Sequence, residues 1–143
     1  MVIVAAIDRS DRATDVVNEA EALATAFDDT VHVVHVLTRS EFVDLGRTKA
    51  EAGDSINMDE VRKVAADIAA SHTPDVAVPT ESVGLVGDPA SQVSTYASDN
   101  EARYIVVAGR KRSPAGKAIF GSVAQSIILS AKCPVLSTVS TGA

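Results

Sequence analysis

The sequence has no tryptophan, one cysteine and few aromatic rings: two tyrosines and three phenylalanines. A lone thiol, Cys133, excludes an internal disulfide. So few rings mean a core of Val, Ile, Leu and Ala, the make-up of a parallel sheet covered by helices. They also remove the stacking platforms on which single-stranded nucleic acid is held. No apolar run exceeds strand length, and no charged segment precedes the opening MVIVAAID. Neither a membrane span nor a signal peptide is therefore expected, and the cytoplasm is the default compartment. Positive charge is short as well. Thirteen Lys and Arg against 19 Asp and Glu leave a net charge of −6, which argues against a general nucleic-acid binder. The acidity fits a salt-adapted protein and an ordinary acidic one equally well.

What the sequence does hold is 46% hydrophobic residues, far too many for a disordered chain. Its 143 residues suit one domain, 1–143, that buries about two-thirds of its unfolded surface. Val2–Ile7 reads as a fully buried strand. Ser10 and Asp11 are N-cap types, and Val16, Ala20, Leu23, Ala24 and Phe27 follow at helical spacing. VHVVHVL, Val31–Leu37, is a second strand. The long polar segment from Thr38 to Ile56 is either a lid or partly helical. Asn57 and Glu60 resemble a capping box, and Val61, Val64, Ala65 and Ile68 stripe the helix behind it. Val76–Val86 contains a third strand, placed at a sheet edge by Pro79. Asp88 caps and Pro89 opens the next helix, with Ala90, Val93, Tyr96 and Ala97 facing inward. Arg103–Ala108 contains a fourth strand. Ser122–Gln125 fits a capping box for the last helix, with Ile127, Ile128 and Ala131 on its buried side and Lys132 at its end. Pro134–Val139 is a fifth strand. Alternation of this kind predicts an α/β fold: an open, mostly parallel, five-stranded, doubly wound sheet with helices on both faces.

Ligands of such sheets bind outside the carboxyl ends of the strands, where the strand order reverses. Two segments at such ends are chemically suggestive. One is Ala6-Ile7-Asp8. The other is GRKRSPAGKAIFGS, Gly109–Ser122, which lies between a buried strand and a helix. Gly109 lets the backbone turn sharply. Gly121 precedes helical N–H groups near Ser122 and Val123 that attract anions. Arg110, Lys111, Arg112 and Lys117 bring positive charge. The segment is neither a P-loop nor a dinucleotide fingerprint, and it competes with a plain basic loop. His32 and His35, three apart in a strand, point to opposite faces and make no shared metal site. Cys133, with no evident base nearby in sequence, reads as an inert thiol.

This segment, with YIVVAG before it, SVAQSIILSAKCPVL after it and the turn GDPA at Gly87–Ala90, resembles the universal stress proteins of the UspA family. The family motif is G-x2-G-x9-G-[ST]. Here Gly109, Gly121 and Ser122 match it, Arg112 replaces the second glycine, and the interval to the last glycine is one residue shorter. The resemblance spans nearly the whole chain except Thr38–Ile56. It implies the family's adenine-nucleotide α-hydrolase-like, Rossmann-like fold and a site for ATP or AMP, with Mg²⁺ as an optional companion. By the same resemblance Asp8 contacts the adenosine with Ala6 beside it, and Val36 packs near the adenine. Gly109 passes the ribose and phosphates, while Gly121, Ser122 and Val123 bind phosphates. Arg112 would clamp a phosphate or block its approach. Asp8 and Ser122 also have ordinary roles open to them as helix caps.

The function expected is a non-enzymatic nucleotide-binding regulator of a stress response, with no nucleic-acid or membrane partner. It would act as a homodimer through the edge strand VLSTV. A dimeric module without nucleotide, favoured by the Arg112 change, is the alternative. An ATPase ranks below both, because Asp8 is the only obvious carboxylate near the site and any hydrolysis would be weak.

Overall fold

A computed structural model describes residues 1–8, 12–53, 57–73, 76–109 and 121–138. Ser10, Asp11, Pro74, Arg110, Lys111, Arg112, Lys117, Phe120 and Val139 lie outside the described residues. The element order is β1 (Val2–Ile7), α1 (Ala13–Phe27), β2 (Thr30–Leu37), α2 (Arg39–Glu51) and α3 (Met58–Ala70). It continues with β3 (Thr80–Val86), α4 (Pro89–Asp99), β4 (Ala102–Ala108), α5 (Ser122–Ser130) and β5 (Val135–Thr138). The sheet runs β3-β2-β1-β4-β5, and every pairing is parallel. The sheet is open and doubly wound, as the alternation predicts.

Strand β2 shows why the runs without polar alternation belong inside. It lies between β1 and β3, and Val31 to Leu37 are all buried. Its odd positions face one helical layer and its even positions the other. Val31 and Val33 join Ile3, Ala5 and Ile7 of β1 against Val16, Val17 and Ala20 of α1. Val34 and Val36 join Val4 against Val93 and Ala97 of α4 and Ile127 of α5. His32 and His35 do point to opposite faces. His32 Nδ1 is 2.6 Å from the Tyr96 hydroxyl of α4, with its Nε2 3.2 Å from Glu81. His35 Nδ1–H donates to the Ile7 carbonyl on the α1 side, at 3.2 Å.

β3 occupies the edge that Pro79 predicts, although Pro79 itself precedes the strand and accepts the Val31 N–H through its carbonyl. Close approach of β3 to α3 requires glycine at Gly84, where a Cβ would run into the Arg62 carbonyl. Asn57 caps α3 through the Glu60 N–H at 2.8 Å, and Asp88 caps α4 through the Ser91 N–H at 3.0 Å. Both starts agree with the sequence.

The segment after Thr38, read as a lid or partly helical, is helical over Arg39–Glu51: α2 begins in a full capping box between Thr38 and Glu41. None of its described residues is buried, and among them Phe42 and Leu45 reach the core, against Leu37, Val61 and Ala65. Three expectations are corrected. The N-cap of α5 is Gly121, so Ser122 is the first helical residue and forms no capping box with Gln125. Ile128, read as buried, is 41% exposed, because Ala124 and Ile127 carry the inward face. Lys132 lies beyond the last turn, since the helix ends at Ser130.

Candidate functional site

Strand order reverses between β1 and β4. There, at the carboxyl ends of β1, β2 and β4, a cleft of about 780 Å³ opens. Its floor is apolar, built from Ala6 and Ile7 of β1, Val36 of β2, and Val107 and Ala108 of β4. Val93 of α4 and Ile127 of α5 wall it on one side. The rim is polar: Asp8, Arg12, Thr38, Glu41 and Ser122. An apolar bed with a few convergent polar groups is the usual design of a small-molecule site.

The polar rim follows from the topology. In a parallel sheet each helix after a strand starts near that strand's carboxyl end. The N-terminal residues of α1, α2, α4 and α5 all reach the cleft through Arg12, Thr38, Pro89 and Gly121. Each brings the positive end of a helix dipole. The four ends differ in one respect. Thr38 and Asp88 accept backbone N–H groups of their own helices through their side chains. Neither Arg12 on α1 nor Gly121 on α5 makes such a side-chain bond. The first N–H groups of α5, beside Gly121 and Ser122, suit an anion. The Arg12 guanidinium, Thr38 and the carboxylates of Asp8 and Glu41 share the same rim.

Six of the sequence-predicted residues line this one cleft: Ala6, Asp8, Val36, Gly121, Ser122 and Val123. Asp8 is not the cap of α1, whose N-cap is Arg12. Arg112 lies outside the described residues. Gly109 is the exception among those described. It is buried at the end of β4, its N–H donates to the Thr138 carbonyl at 2.7 Å, and it is not part of the cleft lining. A Cβ there would run into the Thr138 carbonyl and approach Ser137 Oγ at 2.7 Å. Contact with β5 by itself requires glycine here. Arg12, Thr38 and Glu41 are rim residues that the sequence reading does not name. Thr38-x-x-Glu41 carried the signal: it is a capping-box pattern at the end of a buried strand. Cys133 is half-buried, and burial pushes its thiol above the usual range, as an inert thiol requires. Among the described residues no His, Cys, Asp or Glu cluster is placed to hold a metal ion. Among them, too, no helix is long and apolar enough to cross a membrane.

A sequence model of the universal stress protein family matches residues 1–138. Among solved structures, a universal stress protein from Archaeoglobus fulgidus is 35% identical, covering 95% of this chain and 96% of its own, with a TM-score of 0.63. A structure of the universal stress protein from the same organism in complex with dAMP is 25% identical over 95% and 94% of the two chains, with a TM-score of 0.58. An Arabidopsis thaliana family member with AMP bound, 13% identical over 99% and 93%, shares the fold at a TM-score of 0.58. A comparison with curated proteins finds no match. On the match along nearly its whole length and the fold it shares with these structures, the chain belongs to the universal stress protein family.

Proposed function

We propose that the cleft binds an adenine mononucleotide, ATP or AMP, and that the protein is a non-enzymatic, nucleotide-responsive regulator in a stress response. The observation that carries this reading is an apolar bed beside a helix N-terminus in one cleft. The bed around Val36 suits a base, and the first N–H groups of α5 suit phosphate. The Archaeoglobus relative that binds dAMP supports it at 25% identity. Ser122 and Val123 would present backbone N–H groups to phosphate, Asp8 would meet the sugar or base, and Ala6 would let the base lie close to β1.

The test is to denature the purified protein, identify released nucleotide by mass spectrometry, and titrate ATP and AMP by calorimetry with and without Mg²⁺. Carried nucleotide or saturable heat is expected. Neither at millimolar nucleotide would reject the reading.

We infer further that the protein works as a homodimer through β5. That strand ends the sheet next to β4, and an edge strand is a ready template for a second copy. Leu129 on the preceding helix is 80% exposed, which leaves apolar surface on α5. Mass measurement in solution decides it.

A further inference from the structure

We propose that α2 is the element through which nucleotide occupancy is read: it opens separately from the rest of the fold, and a nucleotide in the cleft orders it. The inference rests on the nucleotide reading and deepens it.

Helix α2 is set apart by how little of it is buried. The other helices bury side chains such as Val16, Val61, Val93 and Ile127. None of the described residues of α2 is buried. Phe42 and Leu45 are half-buried, and they pack on a small cluster of Leu37, Val61 and Ala65 that is distinct from the two main cores. The sequence of α2 adds little stability of its own. A helix of 13 residues is marginal in isolation. Gly46, the poorest helix former after proline, sits near its middle. Few buried apolar contacts and weak propensity place an element at the low end of local stability. Helix α2 therefore opens while the sheet stays folded.

The foot of α2 is also part of the cleft. Thr38, its N-cap, and Glu41, in its first turn, line the cleft together with Val36. Thr38 Oγ1 accepts the Glu41 N–H at 3.3 Å, and Glu41 Oε1 accepts the Thr38 N–H at 3.3 Å and the Thr38 hydroxyl at 3.1 Å. This capping box is the first turn, and the first turn is the unfavourable step in forming a helix. A ligand on the Val36 bed shares the cleft with both residues. It favours the arrangement in which Thr38 and Glu41 complete the rim, and that arrangement starts the helix. Binding and ordering are then linked: each raises the equilibrium constant of the other by the same factor. Occupancy of a recessed site becomes order in an exposed helix.

Amide hydrogen exchange of the whole protein, with and without AMP and over a low range of urea, tests this. In wild type, α2 amides are expected to exchange through openings that urea hardly affects, while β1 and β4 amides exchange on global unfolding. Saturating AMP is expected to slow α2 exchange by about tenfold. The variant Arg47→Pro reads the same coupling from the other side. Arg47 is exposed, sits in the interior of α2 and does not line the cleft. Proline there breaks the helix without touching the site. Its α2 amides are expected to lose protection while those of β1 and β4 keep theirs, and its AMP affinity by calorimetry to fall by about tenfold. Exchange of α2 that tracks global unfolding, or that saturating AMP leaves unchanged, overturns this inference alone. So does full AMP affinity in Arg47→Pro, or loss of the whole fold in that variant, since α2 would then not be separable. No AMP binding by wild type overturns the nucleotide reading, and this inference with it.

Discussion

Asp29 and Arg103, 74 positions apart, are joined by two hydrogen bonds: Arg103 Nε to Oδ2 at 2.6 Å and a guanidinium N–H to Oδ1 at 3.4 Å. The Asp29 side chain is 2% exposed and also receives the Met1 ammonium at 3.0 Å. The same guanidinium lies over the Phe27 ring, 4.4 Å from its centroid. One buried carboxylate thus ties the α1–β2 turn to the start of β4.

The Arg103 hydrogen bond, aided by the Met1 ammonium, holds the Asp29 carboxyl below its ordinary value of 3.8 against the opposing effect of burial. Between the folded and unfolded values the unfolded chain binds more protons, so stability rises with pH there. The contribution is complete above the ordinary value and is lost as pH falls through the depressed one. Asp29→Asn is expected to lower the unfolding free energy at neutral pH by about 1–3 kcal/mol, the range for a buried partner left unmade. Urea melts of the two proteins should converge as the medium is acidified below 3.8. A gap independent of pH would mean that Asp29 acts by packing.

Gly109 and Gly84 are expected to tolerate no side chain, because backbone atoms stand where a Cβ would be. A Cβ on Gly109 meets the Thr138 carbonyl, and one on Gly84 meets the Arg62 carbonyl and the Ala66 nitrogen. Backbone atoms cannot step aside as a flexible side chain can. Each alanine substitution is expected to cost about 1–3 kcal/mol in chemical denaturation, the range for overpacking. Gly109→Ala should loosen β5 against β4, so hydrogen exchange at the amide of position 109 should rise more than that of the β4 amides. Unchanged stability would mean that the packing of β5 does not demand glycine at this position.

The strands were legible because their signal is local: VIVAAI and VHVVHVL are buried on both faces and read as unbroken apolar runs. The starts of α3 and α4 were legible because Asn57 and Asp88 announce themselves in three or four residues. Helix α2 was not, since its stripe amounts to Phe42 and Leu45, too little for periodicity to detect. The cleft was half legible. Ala6, Asp8, Val36 and the start of α5 sit where strand ends and glycines point. Arg12, Thr38 and Glu41 join them only once the sheet order places four helix starts around one opening. Gly109 shows the limit of a motif, because its glycine serves a strand nearly thirty residues later. No local pattern announces the Asp29–Arg103 pair.

Gly121 separates site from scaffold. Its backbone, at φ −68° and ψ 160°, is ordinary extended chain that any residue adopts. Gly121→Leu therefore carries no conformational strain and should cost the fold less than about 1 kcal/mol as a poorer N-cap. The added side chain would stand in the cleft, against the first N–H groups of α5. Affinity for AMP and ATP is expected to fall by at least about tenfold by calorimetry, the scale of one charge-assisted hydrogen bond lost. Unaltered affinity would move the phosphates elsewhere.

The edge strand gives the test of assembly. Ile105 N–H donates to the Pro134 carbonyl and Gly109 N–H to the Thr138 carbonyl, so Pro134, Leu136 and Thr138 turn their backbone groups toward β4. By the period of two, the N–H groups of Val135 and Ser137 point away from the sheet. A second copy pairing along β5 would use them. Ser137→Pro removes one outward donor and no bond to β4, a position where an edge strand accepts proline. Wild type is expected to sediment as a dimer at micromolar concentration, and Ser137→Pro as a monomer with its far-ultraviolet spectrum intact. A wild-type monomer would reject the dimer. A variant that stays dimeric would place the interface on another surface, with the exposed Leu129 of α5 the next residue to replace.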